Sequence, residues 1–143
     1  MALECTSEGS FAASVSVAGH HLTVDEPESL GGTNTGPSPF AMLMASVGAC
    51  TAITVVDAAR ERGLQVDRVR VNVRLKQNKI STSAGDPELL IKEIRRSIEI
   101  EGDLAPEDRD WLYQRGASCP VSRSLAVGIA TPATPAPALE PRS

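Results

Sequence analysis

The stretch Ser38-Pro-Phe-Ala-Met-Leu-Met-Ala-Ser-Val-Gly-Ala-Cys50-Thr-Ala-Ile-Thr-Val-Val56 decides how this chain folds. From Pro39 to Val56 there is no charged residue. Ser38 suits a helix N-cap and Pro39 the first helical position. Asp57, Arg60, Glu61 and Arg62 bring charge only to the last two turns, and Gly63 supplies a stop. The spacing therefore predicts one long helix from Pro39 to about Arg62. With no polar face over most of its length, it must be covered on nearly all sides, by a sheet or by another subunit. Its length approaches that of a membrane span. Its wealth of Ala, Gly, Ser and Thr, and the Gly/Pro/Ser loop ahead of it, favour a buried central helix instead.

Upstream, Ser10–Val24 alternates loosely through Phe11, Val15, Val17, Leu22 and Val24, which predicts two short strands turning near Gly19-His20-His21. Asp25–Gly36 carries Pro27, Gly31, Gly32 and Asn34 and reads as a loop. Downstream, Val66–Lys76 alternates cleanly, with Val69, Val71, Val73 and Leu75 on one side and Arg68, Arg70, Asn72, Arg74 and Lys76 on the other. Asn78–Asp86 reads as a polar connection. A second strand is expected over about Leu89–Glu101, with Ile94, Ile98 and Ile100 inward and Lys92, Arg95, Glu99 and Glu101 outward. The two should pair antiparallel, with cross-strand ion pairs on the outer face.

Ala105-Pro106-Glu107-Asp108 opens a further helix to about Arg115, ended by Gly116, and Pro120–Val127 forms a short amphipathic one. The order of strands, long helix, strands and short helices is α+β rather than an alternating parallel-sheet pattern. One domain is expected over residues 10–130, between a flexible N-terminus (1–9) and a disordered Pro/Ala-rich tail (131–143).

The bulk properties narrow the partners. A net charge of −4 with both signs interspersed argues against a nucleic-acid surface, and aromatics at 3 % argue against a base-stacking platform. No basic segment followed by an apolar run opens the chain, so a cytoplasmic, reducing setting is expected. Three cysteines make no disulfide scaffold, and no Cys-x-x-Cys or His-x-x-x-His spacing suggests a metal site. Cofactors are not called for.

Two of the cysteines occupy distinctive settings. Cys50 lies within the apolar helix, where it reads either as a small buried hydrophobe or as a reactive thiol. Cys119 precedes Pro120 at a loop-to-helix junction, where the first free N–H groups favour a thiolate; a Cys-Pro helix start also serves as a purely structural device. Cys5 falls in the N-terminal segment and is given no role.

Gly36-Pro37-Ser38-Pro39, Leu43 and Ala45-Ser46-Val47-Gly48-Ala49-Cys50-Thr51, followed later by Ile100-Glu101-Gly102-Asp103-Leu104 and Cys119-Pro120-Val121 with Arg123, resemble the OsmC/Ohr family of osmotically inducible and organic hydroperoxide resistance proteins. Gly19-His20-His21 through Asp25 resembles the strand ahead of the loop in its general branch. The resemblance spans about residues 10–130. It implies an OsmC-like intertwined homodimer, with antiparallel sheets wrapped around long central helices. It further implies thiol-dependent reduction of organic hydroperoxides, with Cys50 attacking, Cys119 resolving and a dithiol reductant restoring the pair.

The chain departs from that pattern in two respects. Peroxidase members use an arginine from the N-terminal strand–loop region and a glutamate at the start of the central helix. Here the first basic Lys or Arg is Arg60, and the helix opens Pro39-Phe40-Ala41-Met42 without an acid. A buried thiol needs a cation or dipole to ionise, and Arg123, one turn beyond Cys119, is the candidate to supply it. His20 and His21 adjoin in a strand and point to opposite faces, so at most one can face the site. The departure motivates an alternative function, a redox-sensing or small-ligand-binding dimer without turnover.

Overall fold

A computed structural model describes residues 2–5, 11–81 and 87–133. In chain order the elements are β1 (Ala2–Cys5), β2 (Ala13–Val17), β3 (His20–Val24), a 3-10 turn at Glu28–Leu30, α1 (Pro39–Glu61), β4 (Arg68–Ser81), β5 (Pro87–Glu101), α2 (Pro106–Ala117) and α3 (Pro120–Val127). They form an antiparallel three-stranded sheet, β1-β2-β3, and a separate antiparallel pair, β4-β5. The α+β class and the antiparallel sheets are as expected from the sequence.

The N-terminal segment departs from expectation. Ala2–Cys5 lies within the stretch expected to be flexible, yet it pairs with β2 from Ala2↔Ser16 to Cys5↔Ala13. Four residues are too few to show a period, so the ladder is invisible in sequence. The rest of that stretch, residue 1 and residues 6–9, lies outside the described residues, as does the expected tail from residue 134 onward. β2 and β3 close through Ala18 (φ 48°) and Gly19 (φ 81°). Two successive positive φ angles match the right-handed twist of a hairpin, which explains the tight link between Val17 and His20.

The loop after β3 is ordered around one carboxylate. Asp25 is buried and accepts bonds from the Thr33 N–H (3.0 Å) and hydroxyl (2.7 Å), and from the Thr35 N–H (3.1 Å) and hydroxyl (3.0 Å). The Thr33 hydroxyl is the largest influence and, with Thr35, it holds the carboxyl well below the usual range against the opposing effect of burial. A depressed folded-state pKa adds stability above the unfolded value of about 3.9 and loses it as pH falls below that. Asp25→Asn is therefore expected to melt below the parent at pH 7, and the gap should narrow on acidification through about pH 4. A gap constant between pH 7 and pH 2 in thermal melts would remove this carboxylate from the account.

Ser38 caps α1 by accepting from the Ala41 N–H at 3.3 Å, and Pro39 follows at the first helical position. Val47, Thr51, Val55, Ala58 and Ala59 form its buried stripe at spacings of three and four, against β4, α2 and α3. The opposite face is uncovered within one chain: Ala45, Ala49 and Ile53 are exposed, Ile53 at 67 %. With a mean hydropathy of 1.8, α1 is long and apolar enough to cross a bilayer, a test that core helices also pass.

β4 and β5 pair over Arg68↔Glu101 to Lys76↔Glu93 in one register, then continue past an irregularity at Lys76/Gln77 to Ser81↔Pro87. The expected connection at Asn78–Asp86 is thus shorter, since β4 continues through Ser81; residues 82–86 lie outside the described residues. The register shift breaks the alternation that marks β4 in sequence, although the backbone ladder continues. Arg68–Glu101 (3.4 Å) and Arg70–Glu99 (3.3 Å) supply the anticipated outer ion pairs.

The inner face packs onto the core of Val55, Ala58, Ala59, Ile100 and Leu112, with Ile98, Val69, Leu104 and Trp111 around it. α2 passes the stop expected at Gly116, because that glycine serves close packing and not chain reversal. A Cβ there would stand 2.6 Å from Val55 Cγ2. This contact brings the end of α2 against α1 and sets where Cys119 falls.

Candidate active site

Three elements converge on Cys119. The residue is the N-cap of α3, and its N–H donates to the Gly116 carbonyl at 3.2 Å. Its side chain is fully buried. The sulfur lies 3.0 Å from Ser122 Oγ on α3, 3.5 Å from Thr51 Oγ1 on α1 and 3.8 Å from Arg96 Nη1 on β5. Cys50, half-buried one residue before Thr51, lies close enough to influence the Cys119 thiol. Both thiols are free.

Burial pushes the Cys119 thiol up. Hydrogen bonds from the Ser122 hydroxyl, the Thr51 hydroxyl, the Ser122 N–H and the Cys50 thiol outweigh it and bring the group down to about 7. A substantial thiolate fraction at neutral pH follows. Thiolates are both the nucleophiles and the proton acceptors of sulfur chemistry.

The sequence reading chose the wrong arginine. Arg123 is exposed and lines a surface depression with Asp57, Arg115 and Ser118; the contacts do not bring its guanidinium to either sulfur. The cation beside the thiols is Arg96, set on the inner face of β5 between Ile94 and Ile98 and paired with Val73. Nη1 donates to Ser122 Oγ at 2.6 Å and Thr51 Oγ1 at 2.8 Å, and Nη2 donates to the Ala117 carbonyl at 2.9 Å.

One signal for Arg96 was present in the sequence: it shares the phase of Ile94, Ile98 and Ile100, so the alternation that buries them also turns Arg96 inward. Thr51 and Ser122 had no such signal, because small hydroxyls on helices are common. His20 and His21 are exposed, with His21 Nδ1 2.9 Å from Ser16 Oγ on the three-stranded sheet. Neither contributes to the thiol cluster. Among the described residues, no three His, Cys, Asp or Glu side chains gather as a metal site.

A cavity of about 590 Å³ abuts the cluster. Leu43, Val47, Ile94 and Leu125 give it apolar walls, while Arg96 and Ser122 belong both to its lining and to the hydrogen-bonded shell of Cys119. The arrangement provides two adjacent sulfurs, one of them readily ionised, beside a pocket for an apolar molecule with a small polar end.

The family model described as OsmC-like protein matches residues 32–131. No curated protein sequence matches the chain. Among solved structures, the chain is similar to the OsmC-like protein from Mycoplasma pneumoniae, with TM-score 0.71, 17 % identity and coverage of 87 % of this chain and 84 % of that one. It is similar to the organic hydroperoxide resistance protein OhrB of Bacillus subtilis, with TM-score 0.55, 18 % identity and coverage of 86 % and 89 %. An organic hydroperoxide resistance protein from Elizabethkingia anophelis gives TM-score 0.58 at 19 % identity, with 86 % of each chain covered. At these identities the likeness is one of fold.

Proposed function

Because the chain belongs to the OsmC-like protein family, we propose that it is a thiol-dependent peroxidase that reduces organic hydroperoxides through a two-cysteine cycle. The observation that carries this reading is the proximity of Cys50 to Cys119, two thiols 69 positions apart in the sequence, with Cys119 shifted toward the thiolate.

The cycle balances as follows. The Cys50 sulfur attacks the distal peroxide oxygen; the O–O bond breaks, an S–O bond forms, and the alcohol departs with the thiol proton. Cys119 then attacks the oxidised Cys50 sulfur, forming the disulfide and releasing water. A dithiol reductant exchanges twice and leaves both cysteines reduced. The apolar cavity beside Arg96 and Ser122 supports an organic substrate over hydrogen peroxide. The bare face of α1, with Ala45, Ala49 and Ile53, supports a homodimer in which a second copy covers the helix. The proposed setting is the cytoplasm, where dithiol reductants are maintained.

Mixing the reduced protein with cumene hydroperoxide and a dithiol tests the reading. Thiol loss at Cys50 and Cys119, with continued peroxide consumption, is expected. If both thiols stay reduced under excess peroxide while the protein remains folded, the activity is excluded. The absence of any Lys or Arg before Arg60 favours one second reading, a redox-sensing or ligand-binding dimer. Reversible oxidation of the pair without sustained consumption would select it.

A further inference from the structure

The inward guanidinium on β5 has no anionic partner in the contacts described above. Arg96 stands in none of the ion pairs found among the described residues. Its oxygen partners are neutral, the Ser122 and Thr51 hydroxyls and the Gly116 and Ala117 carbonyls, and Nη1 also reaches Cys119 Sγ directly, at the longer distance of 3.8 Å. A partly buried cation among neutral acceptors favours ionisation of any acidic group at hand. From α1, Cys50 and Thr51 face Cys119; from β5, Arg96; from α3, Ser122. The end of α2 presents carbonyls that Arg96 engages. Within this set, the thiols of Cys119 and Cys50 are the groups able to become anions.

The proton inventory identifies which sulfur benefits. Nη1 has two hydrogens, and its shortest contacts are Ser122 Oγ at 2.6 Å and Thr51 Oγ1 at 2.8 Å. The Thr51 hydroxyl is shared between the Val47 carbonyl at 2.8 Å and Cys119 Sγ at 3.5 Å, so it serves the sulfur more weakly. Ser122 differs. Its oxygen accepts from Arg96, and when Cys119 is the thiolate only Ser122 can donate across their 3.0 Å contact. The order of donation is guanidinium to hydroxyl to sulfur, and each bond polarises the next.

We propose that Arg96 is the positioning residue of the thiol pair, acting through Ser122 to hold Cys119 as the thiolate beside the Cys50 thiol. The inference rests on the two-cysteine reading and assigns the proton path within it. As the Cys50 sulfur attacks the peroxide, its proton passes to the Cys119 thiolate and on to the departing alkoxide, giving the alcohol. Cys119 is thereby returned to its anionic form. It then attacks the Cys50 sulfenic sulfur; the S–O bond breaks, and hydroxide leaves with the thiolate's negative charge and is protonated by a buffer acid in the solvent. The arginine missing ahead of α1 is replaced by one from β5, which serves the second sulfur.

The test is a thiolate titration by ultraviolet absorbance in a Cys5→Ser/Cys50→Ser background, which needs no peroxide. With Arg96 present the midpoint is expected near 7. Arg96→Met should raise it by about one pH unit or more, a roughly tenfold loss of thiolate at neutral pH. Arg96→Lys, which keeps the charge without the fork, should recover part of the shift. A folded Arg96→Met protein that titrates like the parent overturns the proposal. Should that variant fail to fold, Ser122→Ala serves instead: a raised midpoint supports the relay, and an unchanged one overturns it. A native chain that fails to consume peroxide while these shifts appear would overturn the peroxidase reading and leave Arg96 in its role.

Discussion

Cys50→Ser is expected to lower steady-state consumption of cumene hydroperoxide by about a hundredfold or more, because the proposed cycle begins at the Cys50 sulfur. Cys119→Ser should behave differently. Its Cys50 can still accept oxygen, so one equivalent of peroxide is reduced and turnover then stalls, with a sulfenic acid at Cys50 that dimedone traps. The two phenotypes separate attack from resolution, which rate loss alone does not. Arg123→Ala provides the internal control and should consume peroxide like the parent, since its guanidinium is exposed and away from both sulfurs. Sustained turnover in Cys50→Ser, or a dimedone adduct on Cys119 rather than Cys50 in the native chain, would reverse the assignment of the two thiols.

Leu112→Ala carries the largest expected effect on stability, about 3 kcal/mol, since it removes a fully buried side chain from the centre of the core. Leu112 packs with Val55, Ala58, Ala59 and Ile100, so the loss is shared by α1, α2 and β5. For a chain of this length the melting temperature should fall by roughly 10 °C. Val127→Ala, at a position 89 % exposed, should change stability by less than about 0.5 kcal/mol. Chemical denaturation of both variants checks the contrast. A loss for Leu112→Ala below about 1 kcal/mol would mean that α2 can shift to refill the space, which a tightly packed interior resists. The same shift would move Gly116 and Cys119, so stability and thiol ionisation should fail together.

The sequence makes the fold largely legible where periodicity is strong. α1 is marked by its cap, its uncharged run and its terminal charges, and it ends within a residue of the expected place. The inner and outer faces of β4 and β5 follow from alternation up to Lys76, and fail where the register shifts. β1 is unreadable because its evidence is a partner strand, not a pattern of its own.

At the site, the two cysteines stand out through their sequence contexts, and the structure brings them together. The cation is misassigned for a physical reason. Nearness along the chain favoured Arg123, whereas nearness in space depends on strand phase, which turns Arg96 inward and leaves Arg95 outside with Glu93. Thr51 and Ser122 acquire meaning only once α1, β5 and α3 meet.

In the proposed cycle, the unequal accessibility of the two sulfurs would fix the direction in which electrons enter during the reset. Cys119 caps α3 from a fully enclosed position, whereas Cys50 is half-open to its surroundings. A bulky reductant can therefore form its mixed disulfide only with Cys50. That attack expels Cys119, the sulfur better able to bear the departing charge, and a more acidic thiol leaves faster. Recharging would run one way, from the outside inward, with the sealed sulfur never joined to the donor.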